Sequence, residues 1–200
     1  MSNFRLFGPD ETESNKLSEA SNDQGVEPDI VIASCGDVST HKALAATALL
    51  REHLPQLKVH FVNVVDLFRL ISAIHHAHGM SDKKWKAIFT TDNSIVFNFH
   101  SYPWLIHRLT YKRPGQHNLH VRGYREKGNI DTPFELAMRN QTDRYSLAID
   151  AIDLVKSLRN TAAGFRDKLL NEQVAAKAEA YNNGVDPGHI RNWTWPWPRK

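Results

Sequence analysis

The sequence predicts an α/β domain whose sheet, mixed or parallel, is covered by helices on both faces, and three observations carry that expectation. Apolar, strand-like segments recur at four places with helix-like segments between them, the alternation of a layered α/β fold. The first of these, Asp29 to Ser34, is apolar without alternation, as a strand buried on both faces requires. The run FNFHSYPWLIHRLTYKRPGQHNLHVRGY from Phe97 to Tyr124 completes a β-turn-α-turn-β unit.

The elements follow in order. Residues 1–27 are rich in Ser, Asn, Asp and Glu with few apolar positions, too few to offset the entropy of ordering them, so a flexible arm is expected. After the Asp29 to Ser34 strand and the Gly36-Asp37 turn, Ser39 or Thr40 is the expected cap of a helix from His41 to His53, which Pro55 ends. Lys58 to Leu67 is the second strand, with Val59, Phe61, Val64 and Val65 as core formers. A short helix from about Asp82 to Ile88 leads to the Ile95 to Phe99 strand. Pro103 suits the first turn of a helix from Trp104 to Tyr111, Pro114-Gly115 stops it, and Asn118 to Tyr124 alternates as a strand.

Thr132-Pro133 opens a helix from Phe134 to Arg139, and Asp143 caps one from Tyr145 to Leu158, where Ile149, Ile152 and Val155 keep a helical period. Gly164 to Tyr181 reads as a further helix, poorer in apolar residues and so exposed or packed on a partner. This organisation gives an arm (1–27), an α/β domain (28–182) and an extended tail (183–200) whose Trp193, Trp195 and Trp197 pack across the domain or a neighbouring subunit.

With 41% hydrophobic residues in 200, the chain can bury one core. Its net charge of +3 is mild and its basic residues are scattered, so no stripe for nucleic acid is formed. The single cysteine, Cys35, excludes an internal disulfide framework and suits a cytoplasmic, reducing compartment. No apolar run approaches the about 20 residues of a spanning helix, so no membrane partner is expected.

Few residues offer chemistry. His75, His76 and His78 are close in sequence, but no further ligand pattern accompanies them, so they read as a solvated loop. Cys35 at the end of an apolar strand reads as buried and inert. Asp37 accepts hydrogen bonds in the turn. His100 and Tyr102 follow a strand at its carboxyl end, where open α/β sheets place ligand crevices, and His107, Arg108 and Arg113 lie on or after the next helix. These five form a candidate phosphate site, or else fix the domain against neighbours in a larger enzyme. No GxGxxG, GxxxxGK[ST] or GxSxG motif occurs, and no catalytic, cofactor-binding or metal-ligating residue is assigned.

The Phe97 to Tyr124 run, with Glu27-Pro28-Asp29-Ile30-Val31 and Gly36-Asp37 before it, closely resembles the carboxy-terminal domain of the phosphoketolases. His78-Gly79-Met80-Ser81-Asp82, Phe89-Thr90-Thr91-Asp92, Thr132-Pro133-Phe134-Glu135 and Asn183-Gly184-Val185-Asp186 continue the resemblance in order, from Ala20 to Trp195. Phe4-Arg5-Leu6-Phe7-Gly8-Pro9-Asp10-Glu11-Thr12 resembles a motif far upstream in that family, ahead of its pyrimidine-binding domain. The two regions nearly touch at Ser18-Glu19, so the chain looks internally deleted.

The resemblance implies a three-layer domain of the transketolase carboxy-terminal type, with a mixed, mostly parallel sheet of about five strands. It implies an aldehyde-lyase family of carbohydrate metabolism that cleaves xylulose 5-phosphate or fructose 6-phosphate with phosphate to acetyl phosphate. Thiamine diphosphate and Mg²⁺ serve the full-length family, at a site made mainly by two other domains of a homodimer. For this chain the expectation is therefore no bound cofactor, catalytic incompleteness, and self-association or docking to the missing phosphoketolase domains. The alternative is a free-standing regulatory or assembly module that binds a phosphorylated metabolite.

Overall fold

A computed structural model describes residues 4–6, 27–128 and 130–196. Five parallel strands form one sheet: β1 (Phe4–Leu6), β2 (Ile30–Cys35), β3 (Val59–Asn63), β4 (Ile95–Phe99) and β5 (Leu119–Arg122), in the order β1-β3-β2-β4-β5. Every pairing among them is parallel, so the mostly parallel sheet of the expectation is parallel throughout its described strands. All residues of β2 and β4 are buried, which is why neither strand alternates in sequence.

Helices cover both faces. On one face α1 (Asp37–His53), α5 (Arg144–Leu154) and α7 (Ala163–Asn183) enclose Ile30, Ile32, Phe61 and Val96 with Leu50, Leu147, Ile152 and Leu169. On the other, α2 (Asp82–Phe89) and α3 (Pro103–Leu109) close over Val31, Ala33, Val62, Phe97 and Phe99 with Trp85, Phe89 and Ile106. The result is the three-layer α/β architecture expected. Shorter helices complete it: α4 (Pro133–Arg139), α6 (Leu158–Thr161) and α8 (Gly188–Arg191).

Several boundaries differ from the sequence reading. The first helix begins at Asp37, with Gly36 (φ 93°) as its cap and no side-chain bond, so Ser39 and Thr40 lie inside its first turn. A Cβ on Gly36 would stand 2.6 Å from His100 Nδ1, and glycine alone fits that left-handed turn between strand and helix. The second strand stops at Asn63 because Asp66 accepts from the Phe68 amide and starts a 3₁₀ turn, Leu67–Leu70. The helix expected to run to Leu158 ends at Leu154, and Leu158 reaches the core from α6 instead. The Thr132 and Asp143 caps form where expected, and Glu135 adds a reciprocal bond that makes the first of them a capping box.

Within residues 1–27, expected as a flexible arm, Phe4–Leu6 forms the outer strand. Its backbone pairs with the otherwise open edge of β3, Phe4 opposite Phe61 and Leu6 opposite Asn63. Residues 1–3 and 7–26 lie outside the described residues. The tail is not extended throughout: α7 continues to Asn183, Gly184 (φ 68°) ends it in the left-handed conformation, and α8 follows. Trp193 then lies edge-on to His41 and under the Arg144 guanidinium, and its carbonyl accepts from His41 Nε2 at 3.0 Å if that nitrogen carries the proton. Trp197 lies outside the described residues. No helix among the described residues is long and apolar enough to cross a membrane.

Candidate functional site

The carboxyl ends of the parallel strands share one edge of the sheet, and there the strand order reverses. From β2 the chain steps to β3 on one side, whereas β4 and β5 continue on the other, so the turns after β2 and β4 diverge. Open α/β sheets form ligand crevices at such a reversal. Gly36 brings the start of α1 flush against His100, and beside them opens a cavity of about 130 Å³ lined by Val38, Ser39, Lys42, His100, Asn140 and Thr142 among others.

Of the five residues singled out from sequence, only His100 lines this cavity. Tyr102 is exposed and its hydroxyl donates to Glu126 Oε1 at 2.6 Å, a bond that raises its pKa above the ordinary tyrosine value. His107 and Arg108 sit on the exposed side of α3. Arg113 departs from the expectation altogether. Its guanidinium is buried, with Nε donating to Leu70 O at 2.9 Å, one terminal nitrogen to Ile71 O and Met80 O, and the other to Asp82 at 2.8 Å. It also stacks over Trp85, with 4.9 Å from Cζ to the ring centroid. Those bonds clamp the 3₁₀ turn and the start of α2, and they leave no face of the guanidinium for a ligand.

A larger groove of about 1280 Å³ runs between α4, α7 and the starts of α1 and α5. Its four carboxylates already have work. Asp131 pairs with Arg139, Glu135 closes the capping box, Asp143 caps α5 and accepts from Gln173, and Asp186 accepts from the Phe134 amide. Lys42 lines both the groove and the smaller cavity. Burial lowers its pKa from the ordinary lysine value, against the opposing pull of Asp143 and Asp186.

Elsewhere, Cys35 is buried and its thiol pKa is pushed up by that burial, as an inert core residue requires. His76 stacks on Phe68 and its Nδ1 accepts from the His78 amide, so the histidine loop is organised by ring contacts. No group of three or more His, Cys, Asp or Glu able to hold a metal ion occurs among the described residues. With the groove carboxylates committed to caps and pairs, the described side chains do not supply the donor set that Mg²⁺ and a diphosphate cofactor need.

Comparison with known proteins fits this geometry. The family profile of the XFP C-terminal domain matches residues 14–195. The chain belongs to that family, the carboxy-terminal domain of phosphoketolases. The phosphoketolase carboxy-terminal domain described here is 56% identical over 177 residues to a probable phosphoketolase of Thermosynechococcus vestitus, a match covering 88% of this chain and 22% of the relative. It is 58% identical to a probable phosphoketolase of Synechococcus elongatus and 54% identical to one of Methylococcus capsulatus, with the same shares covered. The chain therefore spans 22% of the length of the curated relatives it matches.

Lys42 and Thr142 escaped the sequence reading, and Ser39 was read only as a helix cap. Lys42 is one of many lysines, and nothing local shows that it lies between two cavities. The Gly36-Asp37 turn was visible. Its position at the reversal depends on strand order, a non-local property.

Proposed function

We propose that this chain acts as the carboxy-terminal assembly domain of a phosphoketolase and makes no acetyl phosphate alone. The observation that carries the reading is the match at 56% identity to 22% of a relative's length. Thiamine-diphosphate-dependent cleavage of xylulose 5-phosphate or fructose 6-phosphate with phosphate then belongs to the rest of such an enzyme. A cytoplasmic location, where those substrates are found, is part of the same proposal. The contact surface we propose is the carboxyl edge of the sheet. There Val38, Val65, Tyr102, Trp104 and Tyr124 are exposed just after β2, β3, β4 and β5, an apolar lining that favours a protein partner.

The test supplies sugar phosphate, phosphate, thiamine diphosphate and Mg²⁺ to three samples: this chain, a phosphoketolase lacking the matched segment, and the two mixed. Only the mixture is expected to form acetyl phosphate above blank in a hydroxamate assay. Turnover by this chain alone, or no gain and no co-sedimentation on mixing, overturns the proposal.

A further inference from the structure

We propose that the lateral edge of β3 is a strand-addition site for an extended segment from the part of a phosphoketolase that this chain does not span, and that Phe4–Leu6 holds the site as an intramolecular competitor. The inference rests on the assembly role and deepens it, adding a main-chain contact to the apolar one at the carboxyl edge.

Three observations converge. First, β1 is short for the edge it covers. It is three residues long and lies opposite Phe61, Val62 and Asn63, the last three of the five residues of β3. On its other side β3 pairs along its full length, Val59 to Asn63 opposite Ile30 to Ser34 of β2. Second, the family profile begins at residue 14, past β1, whereas β2 to β5 all lie within it. The outer strand is thus an addition to the domain that the family shares, and none of the described residues inside the profile fills this edge. Third, the edge needs a cover. Phe61 packs into the core on one face of the sheet and Val62 into the core on the other, and an open edge beside them would present a row of main-chain donors and acceptors. The chain spans 22% of the length of its relatives, so the remainder of such an enzyme is what an assembly domain meets there.

Strand addition binds through the main chain, and here the pairing is parallel with Phe4 set on Phe61. Three residues are at the short end of what sheets use. The covalent link to β2, residues 7–29, keeps β1 at high effective concentration. It is longer than the about dozen residues a parallel crossover needs, so it does not force the strand into place. An incoming segment that also pairs with Val59 and His60 therefore displaces β1. Until it does, the filled edge lowers the apparent affinity by the fraction of chains in which the edge is open.

The test compares the 200-residue chain with its Arg5→Pro/Leu6→Pro variant. Alternate residues of a strand face the neighbour, so two successive prolines remove a pairing amide in either phase. Hydrogen exchange should quicken within β3 in the variant while Ile30 to Ala33 and Ile95 to Phe99 stay slow. A peptide of residues 1–13 should bind the variant saturably, with amide shifts in β3, and should leave the unsubstituted chain unshifted because its edge is filled. In sedimentation titrations against a phosphoketolase lacking the matched segment, the variant should bind about threefold more tightly or better, and the peptide should compete. Loss of slow exchange in β2 and β4 together with β3 would make β1 integral to the fold and overturn the proposal. So would absence of peptide binding, absence of competition, or a doubled mass of the variant that the peptide does not reverse, which would assign the edge to a second copy. The peptide arm needs no other domain and no turnover. Peptide binding with docking of neither chain sinks the assembly role and this partner with it, whereas equal docking of both chains sinks the edge site and leaves the assembly role standing.

Discussion

The guanidinium of Arg113 ties two segments that neither strand nor helix connects, the turn around Leu70 and the approach to α2. Replacing it with Met keeps the stem but removes the side-chain donor from the carbonyls of Leu70, Ile71 and Met80, the last two of which keep only the backbone donors Met80 N and Ala73 N. Chemical denaturation should show a loss of about 2–4 kcal/mol, and Arg113→Lys should recover only part of it, since an ammonium cannot span a planar fork of acceptors. At Gly36, alanine would meet His100 Nδ1 at 2.6 Å and would have to hold φ 93°, so Gly36→Ala should cost about 1–3 kcal/mol by the same measurement. Legibility at this scale depended on sequence distance. The Thr132 and Asp143 caps bond to amides two or three residues away, and both were read directly. The Arg113 acceptors lie in segments far back along the chain, so the residue resembled a free cation.

Elements divide by their place in the sheet. Central strands β2 and β4 are buried along their whole length, whereas β5 has paired neighbours on one side only among the described strands. Amides of Ile30 to Ala33 and Ile95 to Phe99 should therefore be the slowest to exchange with deuterium, and those of Leu119 to Arg122 measurably faster. Uniform protection across all three strands would contradict this ranking. The alternation of strands and helices, and the two-sided burial of the first strand, were visible in the sequence because both are periodic signals. Strand order was not, because parallel pairing joins segments separated by whole helices. The flush turn at Gly36 and the crevice beside it followed from that order and stayed hidden with it.

As a whole molecule, the domain folds its carboxy-terminal tail onto itself. Trp193 lies between His41 and the Arg144 guanidinium, and Arg51 stands over Trp195 at 5.7 Å. Trp193→Ala should lower the melting temperature by several degrees, at about 2–4 °C per kcal/mol for a chain of this size, without altering the sedimenting mass. A change in mass with an unchanged melting temperature would instead place the tail between subunits. Trp104→Ser makes the opposite case: the side chain is 65% exposed, so the melting temperature should hold while any self-association through the carboxyl edge weakens.

Lys42 belongs to two walls at once, and a single ammonium cannot serve both. An occupant that draws Nζ into the crevice withdraws positive charge from Asp143 and Asp186 and makes the larger groove more negative. An occupant that holds Nζ in the groove removes the crevice's main cation. The two cavities thus share one cation, and replacing Lys42 changes the charge of both walls together.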